Sequence, residues 1–137
     1  ASDKAKFVSA YTASGLTPDG SSTYFLAKHV GLLRAKELFL TNRMLSADEA
    51  KQWGFVTEVV THDKLTTKAS ELAIQIASGP TKAYGGVKRM LLSSFSSPIE
   101  SQLDNETRHI VGTMDTHDGP HGLNAFLNKE RPRFTGS

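Results

Sequence analysis

The sequence predicts an α/β chain that is mostly helical, with two or three short strands and helices that pack on a sheet outside the chain. Three observations lead there. Apolar residues recur at helical spacing through much of the 137 residues. Only "KFVSAY" (6–11) and "FVTEVV" (55–60) alternate as strands do. Two short strands so far apart in sequence leave open edges and cannot make a self-sufficient sheet.

"KFVSAY" places Phe7, Ser9 and Tyr11 on one face of the first strand. Gly15 and Pro18-Asp19-Gly20 then supply turn chemistry. A helix is expected from about Ser21, with Phe25, Leu26, Val30 and Leu33 as its apolar stripe; Gly31 stops or kinks it before "LRAKELFLT". In "LSADEAKQWG", Ser46 and Glu49 form a capping box and Gly54 stands where a terminal glycine belongs. After "FVTEVV", Leu65, Ala69, Leu72, Ala73 and Ile76 keep helical spacing until Gly79-Pro80. Another helix carries Val87, Met90 and Leu91. Ser97-Pro98 with Glu100 reads as a second capping box, opening a long helix with Leu103, Ile110 and Met114. Gly119-Pro120 is expected to break that helix, leaving a short one with Leu123, Ala125, Phe126 and Leu127 and the tail "RPRFTGS".

Composition narrows the function. Hydrophobic residues make up 38% and charged residues 22%, a soluble globular balance. A formal charge of +2, without basic and aromatic residues interleaved on one stripe, argues against a nucleic-acid partner. The lack of cysteine leaves no disulfide, thiolate nucleophile or cysteine metal site, and fits a cytoplasmic protein. No apolar run approaches the roughly 20 residues that span a bilayer, so no membrane partner is expected. "ASDKAKF" has no signal-peptide pattern and no initiator methionine, and reads as the end of another element. The chain is therefore expected to be part of a longer protein.

Few side chains offer chemistry. Asp19, at the mouth of a helix, is either a cap or an acid/base reagent. Tyr11 and Tyr24 either line a pocket or pack with satisfied hydroxyls, and Ser21, Ser22 and Thr23 either touch substrate or, as is usual for small polar residues opening a helix, cap it. His109, His117 and His121 are spaced by eight and four, but Gly119-Pro120 should break any face shared by the last two, so no metal site is expected.

Taken in order, "GLTP" (15–18), "VGLLRAKEL" (30–38), "LSADEAKQWGFV" (45–56) and "FLNKERPRF" (126–134) resemble the motifs of the crotonase, or enoyl-CoA hydratase/isomerase, superfamily. "GLTPDG…ST" and "FLNKERPRFTG" are most similar to the ring-epoxide phenylacetyl-CoA isomerase branch. The resemblance implies the C-terminal part of the α/β crotonase (ClpP/crotonase-like) fold. Residues 1–61 would be the end of the core, and residues 62–137 a helical region that covers the active site and trimerises. It further implies an enzyme acting on a CoA thioester, with no covalently bound cofactor, as a homotrimer or dimer of trimers. Two backbone N–H groups, upstream of residue 1 in the family layout, would hold the enolate oxygen; such a donor is worth roughly 3 kcal/mol.

Tyr11 stands where the family's hydratases carry their second glutamate, whereas Asp19 matches the isomerase-branch carboxylate. The resemblance thus makes Asp19 the catalytic acid/base and Tyr11, Gly15, Pro18 and Tyr24 substrate contacts. Lys129, on the C-terminal helix of the family, would reach the CoA phosphates, a solvated surface lysine being the alternative. Glu130 stands where a second cation is common, and Ile110 where an aromatic packs near adenine. The competing readings are a non-catalytic crotonase paralogue and an oligomerisation or helical binding fragment.

Overall fold

The computed structural model describes residues 1–137, which divide into two compact units, Ala1–Ala69 and Ser70–Ser137. In the first unit, β1 (Lys6–Phe7) pairs antiparallel with β2 (Leu45–Ser46), setting Lys6 opposite Ser46 and Phe7 opposite Leu45. The strand expected over 6–11 thus ends at Phe7, and Thr12–Ser14 form a 3-10 turn instead. The strand expected over 55–60 does not form. The N–H groups of Phe55 and Val56 both bond to the Ala50 carbonyl, at 2.9 and 3.2 Å, so its first donors are already committed. Only Val60 makes a bridge, parallel to Ser2.

Helix α1 (Ser22–Val30) ends at Gly31, whose φ of 84° suits glycine, and α2 (Leu32–Thr41) starts immediately after it. This break turns Leu33 out of the expected stripe, leaving it 82% exposed. Helix α3 (Ala47–Gln52) opens on its capping box: Ser46 Oγ accepts the Glu49 N–H at 3.3 Å. It closes in a Schellman turn, with the N–H of Gly54 on Lys51 O and that of Phe55 on Ala50 O.

Packing joins these pieces. Val30, Ala35 and Phe39 form one buried cluster, and Leu38, Leu45 and Ala50 another, with Leu26 and Trp53 against both. Phe7 meets Phe55 edge-on, centroids 5.3 Å apart. Arg43 closes one side: its guanidinium bonds Glu49 at 3.0 and 2.7 Å, also bonds Glu37, and lies 4.9 Å from the centre of the Trp53 ring. Arg34 lies 4.8 Å from that ring. The hydrogen bonds from Glu49 and then Glu37 raise the Arg43 pKa further above its ordinary value. Glu49 is held below the usual carboxylate range by Arg43, against a desolvation cost, with a smaller contribution from the Ser46 backbone.

Helix α4 (Leu65–Ala77) runs across the boundary between the units. The second unit continues with α5 (Thr81–Ser93), α6 (Ile99–Met114) and α7 (Asp118–Leu127). Two expectations are corrected here. Ser97 does not cap α6: Pro98 occupies the N-cap and no side chain bonds the helix end. Gly119-Pro120 does not break a helix but lies in the first turn of α7, where the missing proline N–H has no intrahelical role. The break falls at residues 115–117.

Buried Gln102 ties α6 to α5, donating to Met90 O at 3.1 Å and accepting from Ser93 Oγ at 2.9 Å. Buried Asp118 ties α7 to the tail. It accepts the N–H of Thr135 and of Gly136, each at 2.8 Å. Burial pushes the Asp118 carboxyl up, but these two N–H groups, His117 and the Thr135 hydroxyl outweigh it, so its pKa falls to about 2. A carboxylate depressed in this way stabilises the fold fully above its unfolded pKa, and the contribution is lost as pH falls through about 2. Protection of the Thr135 and Gly136 amides, relative to the unstructured rate at each pH, should therefore hold at pH 4 and fall toward pH 2, and Asp118→Asn should lower it already at neutral pH.

Candidate functional site

The site starts from how the chain reaches Tyr11. Its 3-10 turn is anchored to the end of α2: Thr12 Oγ1 donates to Phe39 O at 2.6 Å, and Asn42 Nδ2 donates to Thr12 Oγ1 at 2.8 Å. The Ala13 N–H reaches Asn42 Oδ1 at 3.3 Å. Asn42 adopts a left-handed φ of 53°, which ends α2 and turns its amide toward this loop.

With the turn fixed, Tyr11 packs on the Val30, Ala35 and Phe39 cluster, and its hydroxyl donates to Asp19 Oδ1 at 3.0 Å. Asp19 is exposed, and its carboxylate makes no cap on α1. Nor do the serines: Ser21 is the N-cap without a side-chain bond, and the Ser22 hydroxyl donates to the Asp19 carbonyl at 2.7 Å. The expected caps are thus absent, and the carboxylate's partner is the tyrosine.

Beside this pair lies a cavity of about 320 Å³. Its walls are mainly apolar, with Phe7, Phe25, Phe39 and Phe55 prominent, and its polar lining comes from Ser9, Tyr11, Ser22 and His29. Tyr11 is the link: it lines the cavity and holds Asp19, which does not itself line it. Such a volume and lining suit the apolar part of a small ligand.

The other expected site residues are placed as follows. Gly15 closes the 3-10 turn at φ 71°, its N–H on Thr12 O, and Pro18 is half-buried. Tyr24 lies outside the cavity lining, edge-on to Phe25 at 5.2 Å, with Lys28 Nζ 4.8 Å from its ring centre. Lys129, in the second unit, lies just past the end of α7 rather than on it, with a left-handed φ of 58°. Ile110 is 66% exposed. His117 and His121, expected to be separated, stack with ring centroids 5.7 Å apart, because α7 runs through Pro120.

His29 went unnoticed in the sequence, and Ser22, read there as a cap, lines the cavity instead. The signal was present: Ser22, Phe25, Leu26 and His29 follow the i, i+3, i+4, i+7 pattern of one helix face.

The Asn42 node can be weighed directly. Asn42→Ala loses two side-chain hydrogen bonds and keeps a strained left-handed backbone, costing about 1–3 kcal/mol in urea denaturation. Asn42→Gly relieves the strain and should cost less; equal losses would show that backbone strain does not matter there.

Comparisons with known proteins agree with this fold. The family model for enoyl-CoA hydratase/isomerase matches residues 1–137. The chain is 36% identical over 136 residues to the 1,2-epoxyphenylacetyl-CoA isomerase of Escherichia coli (strain K12), covering 99% of this chain and 52% of that protein. It is 34% identical over 128 residues to 4-chlorobenzoyl coenzyme A dehalogenase-1 of Arthrobacter sp, covering 93% and 46%. The crystal structure of an enoyl-CoA hydratase from Bacillus anthracis superposes with a TM-score of 0.89 at 32% identity, over 99% of this chain and 53% of that one. The chain thus spans about half the length of the relatives it matches. With its whole length matched by the family model and its fold shared with a solved relative, the chain belongs to the enoyl-CoA hydratase/isomerase family.

Proposed function

We propose that this chain is the C-terminal half of an acyl-CoA isomerase or hydratase in which Asp19 moves protons next to a thioester. The observation that carries the reading is the Tyr11–Asp19 hydrogen bond at the edge of an apolar cavity. A carboxylate beside an apolar acyl chain can remove a proton and return it further along that chain. With Tyr11 donating to it, one Asp19 oxygen is held in place and the other stays available. In this reading Tyr11 also touches substrate, Gly15 and Pro18 shape the turn, Tyr24 flanks it, and Lys129 offers its ammonium to a CoA phosphate. The CoA thioester is the substrate and no resident cofactor takes part.

The single-carboxylate arrangement favours isomerisation over hydration, because Tyr11 stands where a second acid/base group would be. Similarity to the 1,2-epoxyphenylacetyl-CoA isomerase supports putting phenylacetate-type acyl groups among the substrates to try. Residues 1–61 supply the end of the core. Residues 62–137 serve as a covering and trimerising region of a homotrimer or dimer of trimers working in the cytoplasm. Their exposed apolar side chains support that role: Ile74 is 70% and Phe126 78% exposed. No helix is long and apolar enough to cross a membrane.

The same exposed faces favour a second reading, a non-catalytic family member whose helices serve assembly. One experiment separates the two. In the full-length protein, with an unsaturated acyl-CoA in deuterated water, Asp19→Asn is expected to lower α-proton exchange by about a hundredfold or more without changing the oligomer, whereas residues 1–137 alone should show no turnover. Tyr11→Phe should give a smaller loss and shift the pH profile of exchange. Exchange that is absent from the parent protein, or unaltered by Asp19→Asn, would favour the second reading.

A further inference from the structure

The second unit holds a groove of about 650 Å³ between α5 and α6 that the acid/base reading does not use. Its lining brings together Lys82 and Arg89 from α5 with Arg108 and His109 from α6. The lining includes no carboxylate, and no ion pair engages Lys82, Arg89 or Arg108. The nearby acid on α6, Glu106, accepts from Gln102 and lines a separate recess.

The groove is open because its floor is glycine. Gly85 and Gly86 are adjacent in α5, where glycine is less favourable than alanine, and Gly112 faces them from α6. A Cβ at Gly85 would lie 3.7 Å from Arg89 Nη1, so this guanidinium lies back over the glycine. A Cβ at Gly86 would press on the His109 ring at 3.3 Å. That ring is oriented by a 2.9 Å hydrogen bond to Asn105 O; the carbonyl can only accept, so Nδ1 carries the proton and Nε2 is left for another partner.

Two guanidiniums and an ammonium around one groove, with no internal counter-charge, match a ligand with several negative oxygens close together. From this cluster we infer that the α5–α6 groove binds a phosphoanhydride-bearing anion, its linked phosphates held by Arg89 and Arg108 with Lys82 at one end. Planar guanidiniums pair two oxygens at a time, which favours linked phosphates over a single one. A free polyphosphate and the diphosphate of a nucleotide share this chemistry.

Calorimetry on the purified protein at fixed ionic strength tests the inference, with pyrophosphate, orthophosphate and CoA as probes. Pyrophosphate should bind, more tightly than orthophosphate. Arg89→Gln and Arg108→Gln should each weaken it by about tenfold, the loss of one charge-assisted pair, while Lys36→Gln on α2 should leave it unchanged. If the two arginine variants also weaken CoA binding, the source is a nucleotide; if CoA binding is unaffected, it is a free polyphosphate. Absence of pyrophosphate binding, equal affinity for orthophosphate, or indifference to both arginine substitutions overturns the proposal. Circular dichroism of the variants guards against misfolding, and Arg89→Lys with Arg108→Lys, which keep charge but lose the fork, should give intermediate affinity.

Discussion

The reversal of the chain at Asn42 and Arg43 is the constraint on which the first unit depends. Left-handed Asn42 stops α2, and the two residues face different neighbours. Asn42 meets the 3-10 turn through Thr12 and Ala13. Arg43 meets Glu37 behind it and Glu49 ahead, and lies over Trp53. The reversal delivers Leu45, 1% exposed, to the core and to its place opposite Phe7. Sheet register, the attachment of α3 and the position of Tyr11 all follow from that one turn.

The exposed Arg43 bonds add little stability in themselves, since solvent screens such pairs. Their contribution is directional. A planar guanidinium with all three nitrogens engaged fixes the angle between the end of α2 and the start of α3, while the apolar clusters supply the free energy of packing. This division of labour explains how a cavity survives beside a small core. The phenylalanines around it are held from behind, Phe39 by its cluster and Phe7 and Phe55 by each other, so none must collapse into the space.

The sequence was legible where a local rule decided the outcome. Gly31 and Gly54 mark helix ends because a left-handed backbone is needed there, and Ser46 with Glu49 marks a start because both partners lie within one turn. It was illegible where partners are distant. "FVTEVV" alternates like a strand, but Phe55 and Val56 are drawn into the turn that closes α3, which composition does not reveal. Gly119-Pro120 reads as a breaker, yet proline is harmless in a first turn, and the resulting helix stacks His117 on His121. Local pattern left Asp19 open between cap and reagent; its hydrogen-bond partner is Tyr11, eight residues earlier, through a loop whose shape depends on Asn42. The family motifs named Asp19 and Tyr11 separately, and only the fold joined them.

Two turns in this chain share one hydrogen-bond pattern but put different residues at the left-handed position. After α3, Gly54 takes the left-handed position, with N–H bonds from Gly54 to Lys51 O and from Phe55 to Ala50 O. After α7, Lys129 takes it, with bonds from Lys129 to Phe126 O and from Glu130 to Ala125 O. A side chain in that conformation costs roughly 1–2 kcal/mol that glycine avoids. Geometry alone therefore gives no reason for lysine at 129, and the turn would close better without it. What lysine adds is an ammonium on a backbone that two hydrogen bonds hold still, next to the exposed apolar face of α7. That ammonium lies at the negative end of α7, where the helix dipole favours a cation and offsets part of the strain.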